Sequence, residues 1–320
     1  MKIYVIATIP VGSGPTGVSV NSNGNKIYVT NTSASSVNVI DTVTNTVSTT
    51  IPVGYGPVGI SVSPDGTKIY IANFADSTVS VINSATNTVS ATISISGSPY
   101  GISFSPDGTK VYVSNLNSNT VSVISTSNNS VSATIPVGND PYGLSVSPDG
   151  TKVYVSNFSS NTVSVINTST NSVFATIPVG NEPYGISVSP DGTKTYVANF
   201  SSNTISVISN ATNIVSATIA MGINPIAFGN FISTFNTGIS SLSIEPLIIA
   251  IYSNPAINNI TIETSQQALI EISNIQGQMI KTFTENDNKT SVDVSYLSNG
   301  MYIIKVQTEN AVEVRKFVKE

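Results

Sequence analysis

The sequence predicts an all-β protein: a β-propeller of four-stranded, 42-residue blades followed by a small immunoglobulin-like β-sandwich. Three observations predict it. A 42-residue unit repeats in register over residues 4–45, 46–87, 88–129, 130–171 and 172–213, with a partial sixth copy from Ile214 to about Ile232. The fourth and fifth copies agree at 33 of 42 positions, which excludes chance. Each copy holds four short runs in which apolar and small polar residues alternate, the pattern of strands with two unlike faces. Four strands per unit of about 40 residues make a propeller blade. Near residue 232 the register is lost, and 15 of the 29 charged residues lie in the last 89.

Within the fourth copy the runs are VSATIPV, YGLSVS, KVYVSN and TVSVIN. SPDGT, Ser147 to Thr151, suits a tight hairpin, because Pro148 fixes φ and Gly150 accepts positive φ. TSTN, Thr168 to Asn171, makes the next hairpin. If a blade runs from inner to outer strand, the cut falls near the Pro-Tyr-Gly element. Blades then span about 16–57, 58–99, 100–141, 142–183 and 184–225. Residues 3–11 are left as an unmatched outer strand and 226–232 as an unmatched inner strand. The expectation is a sequence truncated at its N-terminus, or an irregular ring closure. Unmatched end strands also invite self-association with a neighbouring chain.

The domain reading is a propeller over 1–232, a linker over 233–250 and a sandwich over 251–320. In the last segment the runs NITIET, LIEISNI, MIKTFT, TSVDVS, MYIIKVQT and VEVRKFV give six or seven strands. Gly277 and Gly300 sit where hairpins need positive φ.

Composition narrows the function. Charged residues are 9% of the chain, the net charge is −5, and no basic patch exists. Nucleic-acid binding has no electrostatic footing. No run reaches the ~18 apolar residues of a membrane helix. MKIYVIATIP at the start lacks the apolar length and cleavage site of a signal peptide and reads as a strand. Cysteine and histidine are absent, which removes thiolate sites, the Ser-His-Asp arrangement and the commonest general base. Asp65, Asp107, Asp149 and Asp191 recur once per blade and read as hairpin residues. The strings GSGPTG (Gly12 to Gly17) and GYGPVG (Gly54 to Gly59) match a dinucleotide fingerprint, but no helix follows either, and both read as blade-connecting loops. No cofactor, metal or catalytic residue is predicted.

One constellation remains. The loops after the second and fourth strands share a rim. They carry Phe74, Phe158 and Phe200, with Leu116 in the third copy, and Tyr100, Tyr142 and Tyr184, with Val58 in the second. Asp140 and Glu182 lie nearby. Aromatic faces with amide and carboxylate partners suit sugar rings; as wedges between blades, the same side chains would be core.

The motif YVTN, Tyr28 to Asn31, recurs at Tyr70–Asn73, Tyr112–Asn115, Tyr154–Asn157 and Tyr196–Asn199, preceded by SPDG (NSNG in the first copy) and followed by NTVSVI-like runs. Over residues 3–232 this resembles the YVTN family of β-propellers, whose members include surface-layer and other exported proteins. The C-terminal segment is similar to the sorting domain of type IX secretion substrates from Bacteroidota. Asn254, Pro255, Gly277, Asp293, Ser295, Leu297, Gly300, Tyr302 and Lys316 occupy the matching positions. The resemblance implies recognition by the type IX translocon and an extracellular or outer-membrane-associated location, reached with a signal peptide that this sequence does not show. The resulting expectation is a secreted or cell-surface, non-catalytic binding or structural module for a glycan or protein partner. A self-assembling surface coat or fibre and an extracellular polysaccharide-acting enzyme are the alternatives.

Overall fold

The computed structural model describes residues 7–227, 249–264, 267–285, 289–307 and 312–320. The chain divides into two compact units, Met1–Thr234 and Phe235–Glu320, each considered by itself. Residues 233–248 of the expected linker lie outside the described residues.

Among its described residues the first unit holds five blades, each a four-stranded antiparallel meander. Blade 1 comprises β1 (Pro15–Val20), β2 (Lys26–Asn31), β3 (Ser36–Asp41) and β4 (Thr46–Pro52). Blade 2 comprises β5 (Pro57–Val62), β6 (Lys68–Asn73), β7 (Thr78–Asn83) and β8 (Thr88–Ser94). Blade 3 comprises β9 (Pro99–Phe104), β10 (Lys110–Asn115), β11 (Thr120–Ser125) and β12 (Ser130–Pro136). Blade 4 comprises β13 (Pro141–Val146), β14 (Lys152–Asn157), β15 (Thr162–Asn167) and β16 (Ser172–Pro178). Blade 5 comprises β17 (Pro183–Val188), β18 (Lys194–Asn199), β19 (Thr204–Ser209) and β20 (Ile214–Ala220). The end strands expected over 3–11 and 226–232 differ. Residues 7–11 and 226–227 form no strand, and the remainder lies outside the described residues.

The repeat sequence explains the blade. In each SPDG turn the aspartate locks the hairpin. Asp149 Oδ1 accepts from Ser147 Oγ at 2.5 Å and from the Thr151 N–H at 3.0 Å. Those donors hold the carboxyl below its ordinary range, the Ser147 hydroxyl contributing most. The motif tyrosine faces the next blade. Tyr154, Val163, Val165 and Ile177 of blade 4 pack on Ile186, Val188, Val197 and Ile208 of blade 5, all nearly fully buried. Equivalent clusters join blades 1 and 2, 2 and 3, and 3 and 4. Among the described residues no such cluster joins blade 5 to blade 1. The motif asparagine ties two strands of its own blade. Asn157 Nδ2 donates to Thr162 Oγ1 at 3.1 Å and Ser164 Oγ at 2.9 Å.

The second unit is a sandwich. One sheet orders β21 (Ile249–Tyr252), β22 (Asn259–Thr264) and β25 (Lys289–Asp293). The other orders β24 (Met279–Glu285), β23 (Ala268–Asn274), β26 (Gly300–Gln307) and β27 (Val312–Lys319). Ile260, Ile262 and Val292 of the first sheet meet Ile270, Ile304 and Phe317 of the second in one core. β21 begins at Ile249, within the expected linker. Among the described residues no helix is long and apolar enough to cross a membrane.

Candidate functional site

The axial rim is built by a bulge repeated in every blade. In blade 4, Pro141 pairs with Asn157 and Leu144 with Val155, so Tyr142 and Gly143 stand opposite Ser156 alone. A bulge of this kind re-aims a side chain. The Ser156 hydroxyl fills the gap, accepting from the Gly143 N–H at 3.0 Å and donating to the Tyr184 carbonyl of blade 5 at 2.6 Å. Ser114 does the same for Gly101 and the Tyr142 carbonyl. In blades 3 and 4 the third motif position therefore fixes the backbone that carries Tyr142 and Tyr184; blade 2 has Ala72 there, so Tyr100 lacks this tie.

Tyr100, Tyr142 and Tyr184 are brought together. Ring centroids are 4.6 Å apart for Tyr100–Tyr142, 4.7 Å for Tyr142–Tyr184 and 6.0 Å for Tyr100–Tyr184. The hydroxyls of Tyr100 and Tyr184 share a hydrogen bond. Phe74 stands edge-on to Tyr100 at 6.1 Å, and Phe158 lies 4.9 Å from Tyr142. Phe200 occupies the equivalent place in blade 5, its N–H donating to the Glu182 carbonyl at 2.9 Å. The tyrosines line a small axial cavity of about 40 Å³, bordered by all five blades and by Ala227. Burial pushes all three phenols up. For Tyr100 the hydrogen bond with Tyr184 adds to the rise. For Tyr142 the nearby Tyr184, Asp140 and Glu182 add to it. At neutral pH they are neutral rings with hydroxyl edges, suited to stacking and hydrogen bonding.

Asp140 and Glu182, which both act on Tyr142, are each held in their own loop. Each takes a left-handed backbone conformation, with φ of 51° and 54°. The carboxylates accept from Ser159 and Ser201 respectively, each in the rim loop of its own blade. The two acids fasten equivalent loops of neighbouring blades.

Sequence reasoning missed Tyr55. It is 69% exposed, and its N–H donates to Asp76 Oδ2 at 2.6 Å. It shares the rim with Phe74, whose N–H donates to the Gly56 carbonyl. The available signal was departure from the repeat: Ser13, Gly97, Asn139 and Asn181 hold the position of Tyr55 in the other four copies.

The C-terminal motif residues hold the sandwich's ends and turns. Asn254 Oδ1 accepts from the Val318 N–H at 2.9 Å, and its Nδ2 donates to the Lys316 carbonyl, so the Asn254-Pro255 pair is tied to β27. Gly277 closes the β23–β24 turn with φ 81°. Gly300, at φ 157°, opens β26, paired with Lys319. Asp293 Oδ1 caps the Ser295 N–H at 2.8 Å. Tyr302 stacks on Phe317 at 5.3 Å and donates to the Ser298 carbonyl. Leu297 packs on the core.

Comparison with known proteins agrees with both halves. Residues 250–320 match the family model of a secretion system C-terminal sorting domain. Residues 61–157 match that of a YNCE-like β-propeller. Among solved structures the chain is similar to Kuenenia stuttgartiensis hydrazine synthase, with a TM-score of 0.53 and 18% identity, covering 69% of this chain and 91% of that one. It is also similar to a functionally unknown protein from Desulfotomaculum acetoxidans DSM 771, with a TM-score of 0.58 and 23% identity, covering 68% and 75%. Both likenesses are of fold. No curated protein matches the chain significantly.

Proposed function

From a secreted β-propeller that ends in a type IX sorting domain, we propose a non-catalytic binding module, displayed at the cell surface or released from it, that takes a glycan or protein partner on its axial rim. The observation that carries this reading is the convergence of Tyr100, Tyr142 and Tyr184 on one cavity. Aromatic rings with hydroxyl edges in a concave site provide stacking area and a few directed hydrogen bonds. Tyr142 touches both other tyrosines and Phe158, so Tyr142→Ala removes the centre of the cluster. In glycan-array and pull-down screens, the wild-type chain is expected to retain a ligand that this variant loses by at least about tenfold, the ~1.4 kcal/mol of one aromatic contact. Equal retention by both proteins would sink the reading.

A second reading, the self-assembling coat or fibre, is favoured by two open blade faces. Ile219 is 44% exposed where its equivalent Ile177 is 3% exposed, and Val18 is 54% exposed where Ile186 is 2% exposed. Oligomers that grow with concentration in light scattering are expected on this reading. A monodisperse monomer at high concentration overturns it.

A further inference from the structure

A repeat protein shows its special sites where two neighbouring positions leave the repeat together. Tyr55 and Asp76 do so. At the Tyr55 position the other full copies carry Ser13, Gly97, Asn139 and Asn181. At the Asp76 position they carry Ala34, Ser118, Ser160 and Ser202. The two positions meet in space. In blades 4 and 5 the serine hydroxyl accepts the loop N–H, Ser160 from Asn139 at 2.8 Å and Ser202 from Asn181 at 2.6 Å. In blade 2, Asp76 Oδ2 takes over that bond from Tyr55 at 2.6 Å. A serine suffices to hold this loop, so the carboxylate is not required by the fold. Asp76 is exposed, and Tyr55, whose backbone N–H it accepts, is itself largely open to solvent. An exposed aromatic and an exposed carboxylate, held together by one short backbone bond, are the least explained pair on the rim.

We propose that Tyr55 and Asp76 form a subsite for a single pyranose ring. The phenol face stacks on the ring's C–H face, and the carboxylate accepts from its hydroxyls. The inference deepens the axial-rim reading and rests on it. It places one sugar unit on the blade 2 loop, on the same rim as Phe74 and the three tyrosines. An uncharged sugar suits the pair, because a carboxylate is the stronger acceptor for hydroxyl donors and would repel an acidic residue.

The repeat supplies its own conservative variants. Asp76→Ser restores the residue of blades 3 to 5 and keeps a partner for the loop N–H. Tyr55→Asn restores that of blades 4 and 5. Both are expected to fold as the full-length chain does, as read by circular dichroism. The probe is a printed array of neutral and acidic oligosaccharides, followed by titration of the strongest neutral one. Wild type is expected to bind a neutral oligosaccharide. Tyr55→Asn should weaken it at least about tenfold and Asp76→Ser several-fold, while acidic glycans bind no better to wild type than to Asp76→Ser. Binding abolished by Tyr142→Ala yet untouched by either loop variant overturns the subsite and leaves the rim reading standing. Binding lost in the loop variants but kept in Tyr142→Ala supports the subsite and overturns the central role of the axial tyrosines. A ligand whose affinity depends on a positive charge, or no glycan bound at all, overturns the subsite.

Discussion

Raising the pH above about 10 is expected to unfold the propeller in one cooperative step. Tyr28, Tyr70, Tyr112 and Tyr154 sit between blades with almost no exposed surface. Burial raises each phenol, pushing Tyr70, Tyr112 and Tyr154 up to about 12. The folded state therefore holds these protons more tightly than the unfolded chain, whose phenols titrate near 10. The resulting stability is complete below that pH and is lost as pH climbs toward the folded values. A rise of about two pH units corresponds to roughly 3 kcal/mol for each tyrosine. Three such groups rival the whole stability of an ordinary domain, about 5–15 kcal/mol. Far-ultraviolet circular dichroism and tyrosinate absorbance should change together between about pH 10 and 12. Tyr112→Phe keeps the ring and removes one titrating group, so its transition should be less steep. Ionisation of Tyr70, Tyr112 and Tyr154 near pH 10 while the β-signal persists would contradict the buried seams.

The blade was legible because its determinants are local. Period-2 alternation, the SPDG turn and the register of Tyr154 and Asn157 all recur within one 42-residue unit. The rim was legible in part. Equivalence placed Tyr100, Tyr142 and Tyr184 at one level, but their mutual contact depends on the bulge opposite Ser114 and Ser156, which alternation does not announce. Tyr55 and Asp76 were hidden by the search for what repeats, since their signal is departure from the repeat. In the second unit, Gly277 was readable from a turn within four residues. The hold of Asn254 on Val318 spans 64 residues, and no local pattern encodes it. Of the end segments only residues 7–11 and 226–227 are described, and these form no strand.

The close approach of neighbouring inner strands gives a sharp substitution test, because the repeat's third inner-strand position is glycine in every full blade. At Gly101 an added Cβ would stand 2.4 Å from the Tyr142 carbonyl oxygen of the next blade. At Gly59 the same atom would lie 2.1 Å from the Tyr100 carbonyl oxygen. The obstacle is backbone, not a side chain able to rotate away, and at Gly101 the Ser114 hydroxyl holds that oxygen in place at 2.6 Å. Relief requires blades 3 and 4 to separate, which opens the seam between Tyr112 and Leu144. Gly101→Ala is thus expected to lose about 3 kcal/mol, the upper range for an overpacked site. Gly222→Ala, where no atom lies within 4 Å of the added carbon, should change stability by no more than about 0.5 kcal/mol. Urea unfolding of the two variants measures the difference. The same displacement carries Tyr142 away from Tyr100, so a destabilised but folded Gly101→Ala protein should also lose whatever ligand the rim retains. Equal stability of the two variants would mean that the inner strands do not meet at the axis, and the tyrosine cluster would then have no frame to hold it.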